Sequence, residues 1–248
     1  MNGSLVVVGT GPGKAELMTA ATQTALARAT DLVGYGPYLD RVPRRRHQRR
    51  HASDNRAELD RARLALSLAA EGHHVAVVSG GDPGVFAMAA AVFEAVETGD
   101  PAWRRLDIRV EPGVTAMLAA AAEVGAPLGG DFCAISLSDN LKAWATIERR
   151  LKAAAEGDFV IALYNPASKA RPHQLLGALK LLRTIKAAAT PVLFVRAAGT
   201  REAEVIAASL GDADPSVADM RTLVIVGAST TRRVGRWVYT PRSEGRAS

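Results

Sequence analysis

Hydrophobic positions along this chain fall into short β-branched runs separated by stretches of helical spacing. Residues 4–9 form an apolar run ending in glycine, which predicts a buried strand. Residues 15–29 carry Leu17, Ala21, Ala25 and Leu26 at helical spacing, and strand-like runs return at 31–34, 75–79 and 107–110. Between them, residues 55–71 put Leu59, Ala62, Leu66 and Ala69 on one face, behind an N-cap expected at Ser53 or Asp54. Residues 85–97 and 114–124 read as alanine-rich helices. Such alternation predicts a mostly parallel sheet with helices on both faces. The wording then changes to GAPLGG at 125–130, a linker signal. A second set follows: strand 131–137, helix 142–155, strand 158–164, helix 172–188, strand 191–196, helix 201–209, strand 222–227 and a last strand near 236–240. The expected architecture is α/β: two α/β domains with mostly parallel or mixed sheets, at 1–126 and 127–242, a ligand cleft between them, and a disordered tail at 243–248.

Composition narrows the class. A chain of 248 residues that is 48% hydrophobic can bury a core without staples. Cys133 is its only cysteine, which excludes a disulfide framework and a cysteine-based metal centre and fits a reducing cytoplasm. In an apolar run it reads as a small core residue. No apolar stretch is long enough to span a membrane, and the start lacks the basic region of a signal peptide. The net charge of +6 points to a polyanionic partner. With aromatics at 5% and no nucleic-acid-binding signature, nucleic acid is not expected. A small molecule bearing several carboxylates satisfies the same charge. The basic residues concentrate at Arg41, Arg44, Arg45, Arg46, His47, Arg49, Arg50 and His51, an expected exposed loop after the second strand. His73, His74 and His173 lack metal-ligand spacing, and no metal site is expected.

Three glycine loops each follow a strand of the first half. Gly9-Thr10-Gly11-Pro12-Gly13 invites a dinucleotide reading, with Asp31 downstream. Against it, Lys14 stands where the third glycine belongs, Asp31 opens the next apolar run rather than closing it, and Pro12 removes a backbone donor. The second loop is Ser79-Gly80-Gly81-Asp82-Pro83-Gly84, where adjacent glycines admit close approach to the main chain and Asp82 is a candidate cap for a helix from Val85. The third is Glu111-Pro112-Gly113-Val114-Thr115-Ala116. Loops of this kind gather at the carboxyl ends of the strands, where open α/β sheets bind ligands.

Taken in order, VGTGPGKAELMT, SGGDPGVFAMA, EPGVTAMLAAAAEVGAP, DFCAISLSDNLKAWATIERRL, FVIALYNPASKAR and VIVGAST resemble the tetrapyrrole methylase family over almost the whole chain. Within it, GDPGVFAMA, GAPLGGDFCAISLSDNL and ALYNPASK resemble most the branch that methylates precorrin-3B at C17 and contracts the ring. A histidine usual in that branch is replaced here by Gly130. The resemblance implies a cytoplasmic homodimer that holds S-adenosylmethionine. It carries cofactor contacts onto Pro12, Gly80, Gly81, Asp82, Val85, Phe86, Thr115, Ala116, Leu137, Tyr164, Asn165, Arg196, Ala197, Gly227 and Ala228. Such a cofactor lacks phosphate and needs an apolar slot, a few hydrogen bonds and close main-chain approach.

Methyl transfer from a sulfonium asks chiefly for proximity and alignment. Ring contraction adds proton transfer, for which Asp82, Ser136, Ser138, Asp139 and Tyr35 are the candidates; Asp139 is also a candidate cap for a helix near Leu141. The resemblance also implies a role for the basic loop. Arg41, Arg44, Arg45, Arg46, Arg49 and Arg50 would pair with tetrapyrrole carboxylates, to which the guanidinium fork is suited. Alternatives are the cobalt-factor III enzyme, uroporphyrinogen methylation, an NAD-dependent oxidoreductase and a basic nucleic-acid-binding protein.

Overall fold

The computed structural model describes residues 3–54, 57–168 and 170–243. The first two positions of the expected helix at 55–71, and the tail beyond Ser243, lie outside the described residues. The chain divides into two compact units, Met1–Ala116 and Met117–Ser248.

In the first unit the strands are β1 (Ser4–Gly9), β2 (Asp31–Tyr35), β3 (Arg49–Ser53), β4 (His74–Ser79) and β5 (Asp107–Glu111), and the helices α1 (Ala20–Arg28), α2 (Gly36–Leu39), α3 (Glu58–Ala70) and α4 (Met88–Thr98). The sheet order is β3-β2-β4-β1-β5, and every pairing is parallel. Parallel neighbours require crossovers, which explains why helices separate the strands and cover both faces. On one face α3 and α4 pack Ala62, Leu66, Ala69, Val92 and Ala95 against Leu5, Val7 and Val77. On the other, Leu26 of α1 and Leu39 of α2 meet Val8, Leu32 and Val78.

The expected helix at 15–29 is broken: Ala15–Leu17 is a 3-10 turn, and α1 starts after Thr19, whose hydroxyl accepts from the Thr22 N–H at 3.1 Å. The expected basic loop is partly strand, because Arg49–Ser53 forms β3 beside β2. Its anchor is Asp31, whose side chain is wholly buried. That carboxylate accepts from Thr30 Oγ1 (2.8 Å) and pairs with Arg49 Nε (3.0 Å), His51 Nε2 (2.9 Å) and His73 Nδ1 (3.0 Å). Burial pushes the Asp31 carboxyl up, but hydrogen bonds with His51, Thr30 and Arg49 together hold it below its ordinary value.

The second unit begins inside α5 (Ala116–Val124) and adds β6 (Gly125–Ala126), β7 (Phe132–Ser136), α6 (Trp144–Glu156), β8 (Val160–Tyr164), α7 (Gln174–Arg183), β9 (Pro191–Arg196), β10 (Glu204–Ser209), β11 (Thr222–Val226), β12 (Arg232–Val234) and β13 (Trp237–Tyr239). Its main sheet has the order β10-β9-β11-β8-β7 and is mixed. The β7–β8 pair is parallel, while β11 runs antiparallel to both β8 and β9. Helices α6 and α7 bury Ile147, Leu151, Leu175, Leu179 and Leu182 against Ile161, Leu163 and Val224. The expected helix at 201–209 is instead the edge strand β10, antiparallel to β9 from Glu204↔Arg196 to Ser209↔Pro191. Val205 and Ile206 favour the pleated ladder, which the alanines beside them do not oppose. The linker signal also hides a strand: β6 pairs with β13, in a small sheet of order β12-β13-β6. Among the described residues no helix is long and apolar enough to cross a membrane.

Candidate active site

In the first unit all strands point the same way, so the three glycine loops emerge together after β1, β4 and β5. They interlock. Gly11 N–H donates to the Gly81 carbonyl (3.1 Å) and Gly81 N–H to the Gly11 carbonyl (2.9 Å). A Cβ at Gly9 would stand 2.6 Å from the Gly81 oxygen and 2.8 Å from the Gly113 nitrogen, so loop packing itself demands glycine there. Asp82 completes the joint: Oδ1 accepts from Gly84 N–H (2.8 Å) and Oδ2 from Gly113 N–H (3.0 Å). The expected helix cap at Asp82 is therefore corrected. Helix α4 starts only at Met88, and the carboxylate ties the second loop to the third. The dinucleotide alternative loses its donors as well, since the Gly11 and Gly81 amides satisfy each other and Pro12 has none.

Gly80 and Gly81 differ in what they allow. A Cβ on Gly80 would strike the Tyr38 ring at 2.7 Å, so this glycine makes room for a tyrosine, not for a ligand. Gly81 has φ +64°, and a Cβ there would make only ordinary contact with the third loop, at 3.8 Å from Thr115 Cα, so its backbone conformation and not crowding favours glycine. Tyr38, which no motif marks, organises its surroundings. Tyr35 meets it edge-on at 5.4 Å, and the Arg41 guanidinium lies 5.5 Å from its ring centroid. Its only sequence signal is the GPYL that directly follows β2.

The arginine cluster is split. Arg50 donates to the carbonyls of Leu39 (2.6 Å), Val42 (2.7 Å) and Pro43 (2.9 Å), and burial lowers its pKa. Arg49 is held by Asp31 at the amino end of the sheet, opposite the glycine loops. Arg50 therefore spends donors on the chain itself, while Arg49 is tied to Asp31 with a side chain that remains 60% exposed. Arg41, Arg44, Arg45 and Arg46 are exposed.

In the second unit, β7, β8 and β9 share one direction, and their carboxyl ends carry Ser136-Leu137, Tyr164-Asn165 and Arg196-Ala197. Leu137 N–H donates to the Tyr164 carbonyl (2.9 Å), and Asn165 Nδ2 to Ser136 Oγ (2.9 Å), which also accepts from Ser138 N–H (3.3 Å). Tyr164 Oη accepts from Met117 N–H at 3.0 Å, in the first turn of α5. Asp139 accepts from Gln174 Nε2 (3.2 Å); its expected capping role is corrected, since α6 begins at Trp144 behind Ala143. The Arg196 side chain pairs with Asp219 (2.9 Å) and Glu204 (3.7 Å), so only its main chain faces other duties. Burial pushes the Cys133 thiol up, partly offset by Lys186, and Cys133 packs against the core.

Backbone strain marks the same positions. The described non-glycine residues at positive φ are Phe86 (52°), Asp158 (53°), Asn165 (53°) and Ala197 (50°). Three of these four lie in the expected cofactor set, and strained backbone persists where a site requires it.

Gly227 and Ala228 do not join that set. They follow β11, which runs against its neighbours, so the loop emerges at the amino ends of β8 and β9; Gly227 N–H donates to the Pro191 carbonyl at 2.8 Å. There Asp158 accepts from Ser229 N–H (3.0 Å) and from buried Lys186 Nζ (2.8 Å). Thr231 Oγ1 accepts from Ala228 N–H (2.8 Å) and pairs with Thr240 Oγ1 (2.8 Å). Gly130 also sits at that end, before β7, where a Cβ would meet the Thr240 methyl at 3.0 Å.

Residues 4–214 match the family described as Tetrapyrrole (Corrin/Porphyrin) Methylases. The chain is 58% identical to a precorrin-3B C(17)-methyltransferase from Sinorhizobium sp, with 100% of each chain covered. The crystal structure of the methyltransferase CobJ superposes with a TM-score of 0.94 at 55% identity, covering 96% of this chain and 100% of that one. The uroporphyrin-III C-methyl transferase of Thermus thermophilus, solved with S-adenyl homocysteine, has a TM-score of 0.69 at 22% identity and covers 91% of this chain and 97% of its own. This last likeness is one of fold.

Proposed function

The chain belongs to the tetrapyrrole methylase family, and from that premise we infer that it methylates precorrin-3B at C17, with ring contraction, using S-adenosylmethionine. The observation that carries the reading is 58% identity to the C17 enzyme over the full length of both chains. The residues suit this cofactor on structural grounds. The Gly11 and Gly81 amides are spent on each other's carbonyls and Pro12 has none, whereas the side-chain-free Gly81 and the positive-φ turns at Phe86, Asn165 and Ala197 suit close main-chain approach.

When bound, S-adenosylmethionine supplies an activated methyl group. This chain's residues orient and shield. In the first unit, Pro12, Gly81, Val85, Phe86, Thr115 and Ala116 would hold the cofactor, with Gly80 seating Tyr38 beside them and Asp82 fixing the loops to one another. In the second unit, Leu137, Tyr164, Asn165, the Arg196 main chain and Ala197 would do so. Arg41 and Arg44 to Arg46 would meet substrate carboxylates, while Tyr35 and Tyr38 offer an aromatic wall beside Arg41. Proton handling falls to Ser136, Ser138, Asp139 and Tyr35, because both Asp82 oxygens already accept backbone N–H groups. A cytoplasmic homodimer belongs to the same reading.

The test is incubation with precorrin-3B and methyl-labelled S-adenosylmethionine, followed by mass spectrometry and carbon NMR. The expected product carries one new methyl at C17, with C20 expelled from the ring and retained as an acetyl group. Label at another carbon, or an uncontracted product, overturns the reading.

A further inference from the structure

Among the described residues, several arginines spend their donors on the protein itself, and one with a donor shut off from solvent does not. Arg61 donates to Ser53 Oγ and the Asp54 carbonyl, both at 2.8 Å. Arg183 donates to the carbonyls of Leu210 (2.9 Å) and Ala213 (2.7 Å), and Arg50 has its three carbonyls. Arg171 is the exception: its Nη1 is shut off from solvent and has no hydrogen-bond partner. Three residues on, Gln174 Oε1 is buried and unpartnered too.

The position is defined by its surroundings. Arg171 and Ser168 exchange backbone N–H···O bonds (3.0 and 3.1 Å), which pins the loop between β8 and α7. That loop leaves the carboxyl end of β8 directly after Tyr164 and Asn165. Gln174 is steadied through its other amide atom by Asp139, from the neighbouring loop after β7. Among the described residues Arg171 makes no ion pair, with Asp139 or any other acid.

A buried, unpaired cationic nitrogen costs folding free energy, and a fold that satisfies those other arginines has the means to avoid that cost. We propose that Arg171 is a receptor for a ligand carboxylate, held open by the β8–α7 loop in the second unit. The guanidinium presents N–H groups at Nη1 able to donate to a carboxylate oxygen. Gln174 Oε1 offers an acceptor for a neighbouring donor on the same ligand. Resting on the methylase reading, this carboxylate has two sources: the methionyl arm of the cofactor or a side chain of the tetrapyrrole.

Arg171→Gln and Arg171→Lys separate these sources. In the ligand-free protein, Arg171→Gln should melt no lower than wild type, because it removes an unsatisfied charge. Calorimetry with S-adenosylhomocysteine, and with 5′-methylthioadenosine as a probe without the amino-acid arm, reads the cofactor source. The KM for precorrin-3B reads the tetrapyrrole source. A loss of about ten-fold or more, as for one charge-assisted pair, is expected in one arm, with partial recovery in Arg171→Lys. Weakened S-adenosylhomocysteine with unchanged methylthioadenosine assigns the methionyl carboxylate. Raised KM with unchanged S-adenosylhomocysteine assigns the tetrapyrrole. Wild-type binding that Arg171→Gln leaves intact in both arms overturns this proposal alone, as does a clear fall in melting temperature. A wild-type protein that binds neither ligand overturns the methylase reading with it.

Discussion

Replacing Asp158 by glycine, which keeps its φ of 53° without strain, isolates the polar joint at the amino end of the second sheet. Its partner Lys186 has a side chain only 3% exposed, whereas that of Asp158 is 41% exposed. Removing one member of a buried pair costs about 3–5 kcal/mol, because the other charge stays buried and alone. Water reaches the Asp158 side and screens the pair, so the cost falls below that range, to about 2–3 kcal/mol. The same change strips the acceptor from Ser229 N–H, which is exposed and adds little. For a chain of this size the loss corresponds to a melting temperature lower by about 5–10 °C. Lys186→Met should cost about 1 kcal/mol, since it leaves a carboxylate that water can solvate. The double variant should then melt close to Lys186→Met alone, a coupling of about 2–3 kcal/mol in a double-mutant cycle. Differential scanning calorimetry reads the stability, and S-adenosylhomocysteine titration below the transition should give an affinity unchanged from wild type. Additive losses in the double variant would refute the buried-charge account. A large loss of cofactor affinity would refute the placement of Gly227 and Ala228 away from the ligand loops.

Three further outcomes follow from the geometry. Asn165→Ala should lose about 1–2 kcal/mol of stability and weaken S-adenosylhomocysteine binding, because alanine resists positive φ and cannot reach Ser136; Asn165→Gly should be milder in both, and equal effects would count against backbone strain. Gly80→Ala should destabilise by displacing the Tyr38 ring, and Tyr38→Ala added to it should restore much of the melting temperature; no rescue would sink the steric reading. Asp31, Asp158 and Asp219 all have folded pKa values below their ordinary one, so their stabilisation is present above the unfolded carboxylate pKa and is lost as pH falls through the folded values. Melting temperature should therefore drop below about pH 4, and Asp31→Asn should flatten that drop while lowering stability at neutral pH.

The glycine loops were legible because each is a local object, a strand followed by residues that only a tight, close-packed turn needs. Their order along the chain carried the family resemblance. Tyr38 was not legible, since nothing local marks a ring whose purpose is to fill the space left by Gly80. Arg171 lay within a recognised motif, yet only its burial without a partner sets it apart from exposed arginines of identical local sequence character.

Apolar spacing marked β1, β2, β4 and β5 and the helices between them, because burial on one face is written in the period of the residues, but not β3 or the break before α1. Charge and cysteine content bounded the partners in the same way. Strand direction belonged to the tertiary structure. An antiparallel β11 carries Gly227 and Ala228 to the opposite end of the sheet from Tyr164 and Asn165, although their wording matches a family motif. Residues 204–209 became an edge strand for a related reason: the ladder with β9 outweighs a weak local preference. The fate of Arg49 was likewise decided by Asp31, eighteen residues away in sequence and buried beneath it only once β2 and β3 pair.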